Sequence, residues 1–143
     1  MASLNPYLNF KGNTEDAFNF YRSVFGGDFT TVMRFGEMPP MEGAPPTPEA
    51  AKNKIMHISR MVGSSMLMGS DAVEGFGPPI AVGNNYSVSI NADSKEQADK
   101  YFNGLAAGGN IGIPMSDAFW GSYFGMLTDK FGTNWMISYN QQN

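Results

Sequence analysis

Few residues in this chain could carry acid–base or nucleophilic chemistry. It has no cysteine and one histidine, His57, within the run Lys54-Ile-Met-His-Ile-Ser-Arg-Met61. An imidazole titrates near neutral pH and can act as a general base, a general acid or a hydrogen-bond donor to a ligand. The alternation of His57 with Ile55 and Ser59 leaves its facing open, and a hydrogen-bonded structural histidine is the competing reading. Trp120 follows Asp117-Ala-Phe and precedes Gly121. Its ring either closes one end of a binding site, with glycine allowing close backbone approach, or fills the core with its N–H satisfied. Asp117 and Glu37 are acidic candidates for a pocket rim, and Tyr7 and Asn9 are candidate ligand contacts. Asp129 reads as structural, opening a turn before Gly132.

Other chemistries are excluded by pattern. Without cysteine there is no disulfide, no thiolate metal site and no cysteine nucleophile. The chain has no Gly-x-x-x-x-Gly-Lys phosphate loop, no Gly-x-Ser-x-Gly nucleophile turn, and no strand followed by a Gly-x-Gly-x-Gly loop and helix. Its glycine pairs come after helical patterns rather than before them, so S-adenosylmethionine binding in the usual manner is not expected.

These residues are positioned by elements that occur twice. Within the segments Phe10 to Gly27 and Ile90 to Gly108, residues match at an offset of 81: Glu15 meets Glu96, Ala17 meets Ala98, Phe20-Tyr21 meets Tyr101-Phe102, Val24 meets Leu105 and Gly27 meets Gly108. Ala17, Phe20, Tyr21 and Val24 form one apolar helical stripe, and Ala98, Tyr101, Phe102 and Leu105 repeat it. Asn13 or Thr14 is expected to cap the first helix, and Ser94-Lys-Glu-Gln97 reads as a capping box for the second. Gly26-Gly27 and Gly108-Gly109 are expected to end the two helices in left-handed backbone.

Strand-like runs flank each helix: Tyr7–Phe10, Phe29–Phe35, Lys54–Met61 and Ser65–Met68, then Tyr86–Ile90, Ile111–Pro114, Tyr123–Thr128 and Trp135–Tyr139. The order β-α-β-β-β therefore occurs twice, in halves of about 4–71 and 85–140 joined by a linker at about 72–84, all within one domain. Residues 36–51 form a Pro-rich insertion with a helical turn capped at Thr47-Pro48, either a surface connection or a lid. Eleven methionines, among them Met33, Met56, Met61, Met66, Met68, Met115, Met126 and Met136, fall largely on these strands. They suit core filling, and equally a deformable apolar lining.

The formal charge of −4, with 9 scattered Lys and Arg, argues against nucleic acid as a partner. There is no long apolar run and no leader-like N-terminus, so a soluble cytoplasmic protein without membrane attachment is expected.

Pro6-Tyr-Leu-Asn-Phe10, Ala17-Phe-Asn-Phe-Tyr21, Phe25-Gly-Gly27, Met56-His57, Phe119-Trp120-Gly121, Phe124-Gly125 and Asp129-Lys-Phe-Gly132-x-x-Trp135 together resemble the PhnB-like branch of the glyoxalase, bleomycin-resistance and extradiol dioxygenase superfamily, the vicinal-oxygen-chelate proteins. That branch is sometimes labelled with a demethylubiquinone methyltransferase name. The resemblance runs from about Asn5 to about Ser138. It implies an α+β fold of two tandem βαβββ modules with cupped mixed sheets, and a homodimer.

In metal-dependent relatives, strand residues of the two cups supply a His or Gln, Glu, His, Glu set. Carried over, those positions fall at Asn5, at one of Met66, Leu67 and Met68 (best matched by Met68), at Asn85 and at Met136. None is a histidine or a carboxylate, so no metal or other cofactor is expected. The resemblance thus implies a small-molecule binder working without the usual divalent ion. The alternative is a metal-independent or atypical-metal lyase, isomerase or oxygenase with His57 as acid or base, and Trp120 and Asp117 positioning the substrate.

Overall fold

The computed structural model describes residues 2–37, 43, 47–73 and 78–140. Two βαβββ modules are present, each a four-stranded mixed sheet with one helix. The chain divides into two compact units, 1–22 with 26–81 and 23–25 with 82–143.

The first unit contains β1 (Tyr7–Phe10), α1 (Thr14–Phe25, apart from its last residues), β2 (Thr31–Arg34), β3 (Ile55–Val62) and β4 (Ser65–Asp71), with strand order β1-β4-β3-β2. The second contains β5 (Val88–Asn91), α2 (Lys95–Ala106), β6 (Asn110–Asp117), β7 (Ser122–Thr128) and β8 (Asn134–Asn140), ordered β5-β8-β7-β6. In each sheet the first strand pairs parallel with the last, and the other pairings are antiparallel. Moving Tyr7–Phe10 and Thr14–Phe25 along by 81 positions lands them on Val88–Asn91 and Lys95–Ala106, so the internal repeat is structural.

The apolar stripes bury as expected at Ala17, Tyr21 and Val24, and at Ala98, Phe102 and Leu105. One member differs. Phe18, not Phe20, is fully buried, because Gly69 on β4 leaves space for its ring: a Cβ built on Gly69 would stand 2.7 Å from Phe18 Cε1. Burying such an aromatic ring stabilises the unit by about 2 kcal/mol or more.

The helix ends also correct the reading. Asn13 occupies the N-cap of α1 but its side chain makes no capping bond. The buried carboxylate of Asp71, at the end of β4, accepts instead from Thr14 N at 3.0 Å, Thr14 Oγ1 at 2.6 Å and Ile55 N at 2.8 Å. A carboxylate at a helix N-terminus is favoured by the dipole as well as by these bonds. In α2 the capping box forms: Gln97 N donates to Ser94 Oγ at 3.0 Å, and Gln97 Oε1 accepts from Asp93 N at 2.7 Å. Gly26, with φ of 76°, ends α1 in left-handed backbone. Gly108 does the same after α2, but Gly109 is required for another reason, since a Cβ there would collide with the Thr128 carbonyl oxygen.

Strands β4 and β6 run longer than expected, to Asp71 and Asp117. Gly69 and Pro114 look like breaks in sequence. The glycine accommodates Phe18, and the proline lies on an edge strand, where a missing N–H costs least. Of the 36–51 insertion, 38–42 and 44–46 lie outside the described residues, as do 74–77 of the linker. A 3-10 turn forms at Glu49–Ala51 with Pro48 at its N-cap position and no side-chain cap. Among the described residues no helix is long and apolar enough to cross a membrane.

Candidate functional site

Strand register determines which side chains share a face. In the first sheet, Tyr7, Met68, Ser59 and Thr31 form one transverse row and Leu8, Gly69, Ile58 and Val32 the next. Gly69 faces α1 through Phe18, and Leu8 and Ile58 are buried with it. The Tyr7 row therefore faces away from the helix, and alternation brings Asn9, Ser70, Met33, Met61 and Met66 to that same open face.

A β-bulge settles His57. Met33 pairs with His57 and Arg34 with Ile55, which leaves Met56 as the extra residue on β3. Arg34 reaches α1, donating from Nη1 and Nη2 to the Glu15 carboxylate at 3.0 and 2.7 Å, so its partner Ile55 is on the helix side. His57, only two residues on, faces the open side with Met33. Without the bulge, Ile55 and His57 would point the same way.

On this face Tyr7 Oη lies 3.4 Å from His57 Nδ1, with ring centroids 5.8 Å apart. Such a spacing is at the long end of hydrogen bonding. If Tyr7 donates, Nε2 carries the proton and donates to a ligand; in the other tautomer Nε2 is an acceptor or base. Beside them Ser70 Oγ donates to Asn9 Oδ1 at 3.2 Å. Two hydroxyls, an imidazole and an amide thus sit among Met33, Met61, Met66 and Met68, an apolar wall with a few polar groups, as small-molecule sites have.

The structure brings Tyr7, Asn9 and His57 together on one sheet. Glu37 lies in a 3-10 turn after β2, where its carboxylate accepts from Arg34 N at 3.4 Å. Asp117 belongs to the second unit, opposite Tyr123, whose hydroxyl donates to Asp99 of α2 at 2.6 Å. Its carboxylate is 3.4 Å from Lys95 Nζ of the same helix. Asp117 therefore faces α2 rather than the open side of its sheet. Trp120 stands in the β6–β7 turn, 60% exposed, its ring 5.4 Å from that of Phe124 and 5.0 Å from Phe119. It is not a core tryptophan; Trp135 is, with Nε1 donating to buried Asp129 at 2.8 Å. Asp129 also accepts from Phe131 N and Thr133 N, a structural turn as expected. Sequence reasoning missed Ser70, since Gly69 obscured the strand that aligns it with Asn9.

Charge is perturbed away from the open face. The Arg34 guanidinium hydrogen-bonded to Glu15 holds that carboxyl below its usual range, and Glu15 in turn raises Arg34. The Asp99 hydrogen bond, with burial, pushes the Tyr123 phenol up to about 12. A polar cavity of about 420 Å³ lined by Gly12, Glu15, Lys54 and Asp71 lies at the α1 N-terminus. Its groups already serve the fold: Asp71 caps α1 and Lys54 Nζ donates to Gly12 O at 3.0 Å.

The donors at the positions carried over for a divalent ion do not fit one. Asn5 Oδ1 accepts from Met66 N at 3.0 Å, while Met68 and Met136 are thioethers on open faces and Asn85 is a neutral amide before β5. Neutral amides and thioethers are poor partners for hard or borderline divalent ions. Among the described residues no three His, Cys, Asp or Glu side chains gather closely enough to hold one.

Comparison with known proteins adds the lineage. The family model described as 3-demethylubiquinone-9 3-methyltransferase matches residues 2–138. The chain is 32% identical over 144 residues to Protein YjdN of Escherichia coli K12, covering 97% of this chain and 96% of that one. It is similar to the crystal structure of protein PA1353 from Pseudomonas aeruginosa, with 38% identity, a TM-score of 0.84 and coverage of 99% and 100%. A glyoxalase-related enzyme from Fulvimarina pelagi shares the fold at 17% identity, with a TM-score of 0.63 and coverage of 98% and 89%.

Proposed function

The chain belongs to the 3-demethylubiquinone-9 3-methyltransferase family, the PhnB-like branch with the glyoxalase-type fold, and from that premise we propose that it binds a small organic ligand on the open face of its first sheet without the usual divalent metal. The observation that carries the reading is the gathering of Tyr7, Asn9, His57 and Ser70 among four methionines on a face turned away from α1. Thioether side chains adapt to varied apolar shapes, while the hydroxyls, amide and imidazole fix orientation. In this reading Trp120 and its neighbour Phe119 form a separate exposed aromatic surface on the second half. The two halves work as one domain, with cups shared across a homodimer.

Methyl transfer from S-adenosylmethionine, which the family description would imply, finds no support in these residues. Each strand-to-helix connection is three residues long, Lys11-Gly-Asn13 and Ala92-Asp-Ser94, and neither is a glycine-rich loop. At each helix N-terminus one backbone N–H is already taken by a side chain of the protein, Thr14 N by Asp71 and Gln97 N by Ser94.

A second reading is favoured by the Tyr7–His57 contact: an enzyme in which His57 moves a proton and Tyr7 selects its tautomer. His57→Ala separates the two once the co-purifying ligand has been identified by native mass spectrometry and titrated back. A binder loses about tenfold in affinity, one hydrogen bond's worth, and shows no turnover before or after. An enzyme loses turnover with affinity largely kept. Unchanged affinity and no turnover in His57→Ala and Tyr7→Phe alike would overturn both.

A further inference from the structure

The same face holds a second kind of chemistry. Met61 stands directly opposite Met66 across the β3–β4 pair, and Met68, two residues along β4, stands opposite Ser59. Opposed residues have Cβ atoms about 5 Å apart and diagonal ones about 7–8 Å. Three thioethers therefore rise from one small triangle on one face, each sulfur two bonds beyond its Cβ on an unbranched chain. Met33, opposite His57 on the neighbouring pair, extends the sulfur surface. None of the four is buried in the core: Met33 and Met61 are 37% and 41% exposed, and Met66 and Met68 are half-buried.

We propose that Met61, Met66 and Met68 form a site for a soft monovalent cation, copper(I) or its redox-inert analogue silver(I). Thioethers are neutral, polarizable donors that select copper(I) over harder divalent ions, and a monovalent charge needs no carboxylate to offset it. The features that make this sheet a poor place for zinc or manganese thus suit a soft ion. The site lies at the β3–β4 hairpin end of the same face, with Met68 in the row of Tyr7, so it shares the methionine wall of the ligand reading but rests on the sulfur donors alone. The second sheet offers an internal control: Met126 opposes Met136 there as a single pair without a third methionine in adjoining register, and Met115 lies on its helix side against Gly125.

The test is titration of the full chain with silver(I), and with copper(I) held reduced under a competing chelator, following methionine ε-methyl resonances by NMR. One equivalent should bind, with shifts concentrated at Met61, Met66 and Met68, and zinc should not compete. Leucine is close to volume-conserving for methionine, so Met61→Leu, Met66→Leu and Met68→Leu should stay folded by circular dichroism. Each should weaken binding by at least the roughly 10–100-fold that loss of supporting contacts costs a metal site. His57→Ala should leave silver affinity unchanged. Shifts centred on Met126 and Met136, loss of binding on His57→Ala, or full affinity in a variant with all three positions changed to leucine would each overturn the proposal. So would failure to bind either ion at micromolar concentration. If a variant loses its fold, the wild-type shift pattern alone decides between the two sheets.

Discussion

At the scale of single residues, histidine count and histidine facing carry different information. His57 is visible in the sequence as the one imidazole, but its orientation depends on a bulge that inserts Met56 between two register pairs, which alternation alone does not reveal. Asp129 was legible for the opposite reason: Asp-x-Phe-Gly-x-x-Trp encodes its turn amides and the Trp135 N–H within seven consecutive residues. The side on which Asp117 lies was not legible, because its partners, Lys95 and the Tyr123 row, come from elsewhere in the chain. The Tyr123–Asp99 pair gives a prediction at this scale. Tyr123 has its phenol raised from 10.0 to about 12 in the folded state, so the stability it contributes is fully present below pH 10 and is lost as pH rises through about 12. Tyr123→Phe should remove that part of the alkaline decline, measured as denaturation midpoints across this window. A decline of unchanged depth in the variant would contradict the assignment.

At the scale of elements, the repeat and the βαβββ order were legible because helical stripes and capping signals are local. What was not legible was supplied by partners distant in sequence. Phe18 replaced Phe20 in the buried stripe because Gly69, 51 residues away, has no Cβ. The cap of α1 came from Asp71, 57 residues on. Two glycines that look alike in sequence make distinct predictions. Gly109→Ala forces a Cβ into the Thr128 carbonyl and should cost about 3 kcal/mol, the upper end of overpacking. Gly26→Ala meets no atom within 4 Å, and its cost of about 2 kcal/mol comes from the backbone alone, since φ 76° with ψ −173° is a conformation essentially reserved for glycine. Denaturant titration of both variants checks the order; equal losses would mean that backbone conformation alone governs both helix ends.

At the scale of the whole molecule, family membership specifies architecture and leaves the chemistry to the side chains, as it does in any widely used fold. The first sheet keeps an open face with a polar cluster and a methionine wall, while its carboxylates Asp71 and Glu15 serve the helix side. On the second sheet, edge strand β6 exposes Ile111 and Ile113 at 55% and 40%, and Phe119 beyond it at 98%. Uncovered apolar edges of this kind favour association, in keeping with the proposed homodimer. Sedimentation at micromolar concentration should return twice the mass of one chain; a monomer would refute it. The ligand reading rests finally on where the ligand lies. A crystal structure of the protein with its co-purifying ligand is predicted to show that molecule against Tyr7, Asn9, His57 and Ser70, in contact with the methionine wall. Density instead in the polar cavity beside Gly12, Glu15, Lys54 and Asp71, or a divalent ion bridging ligand and chain, would contradict the account.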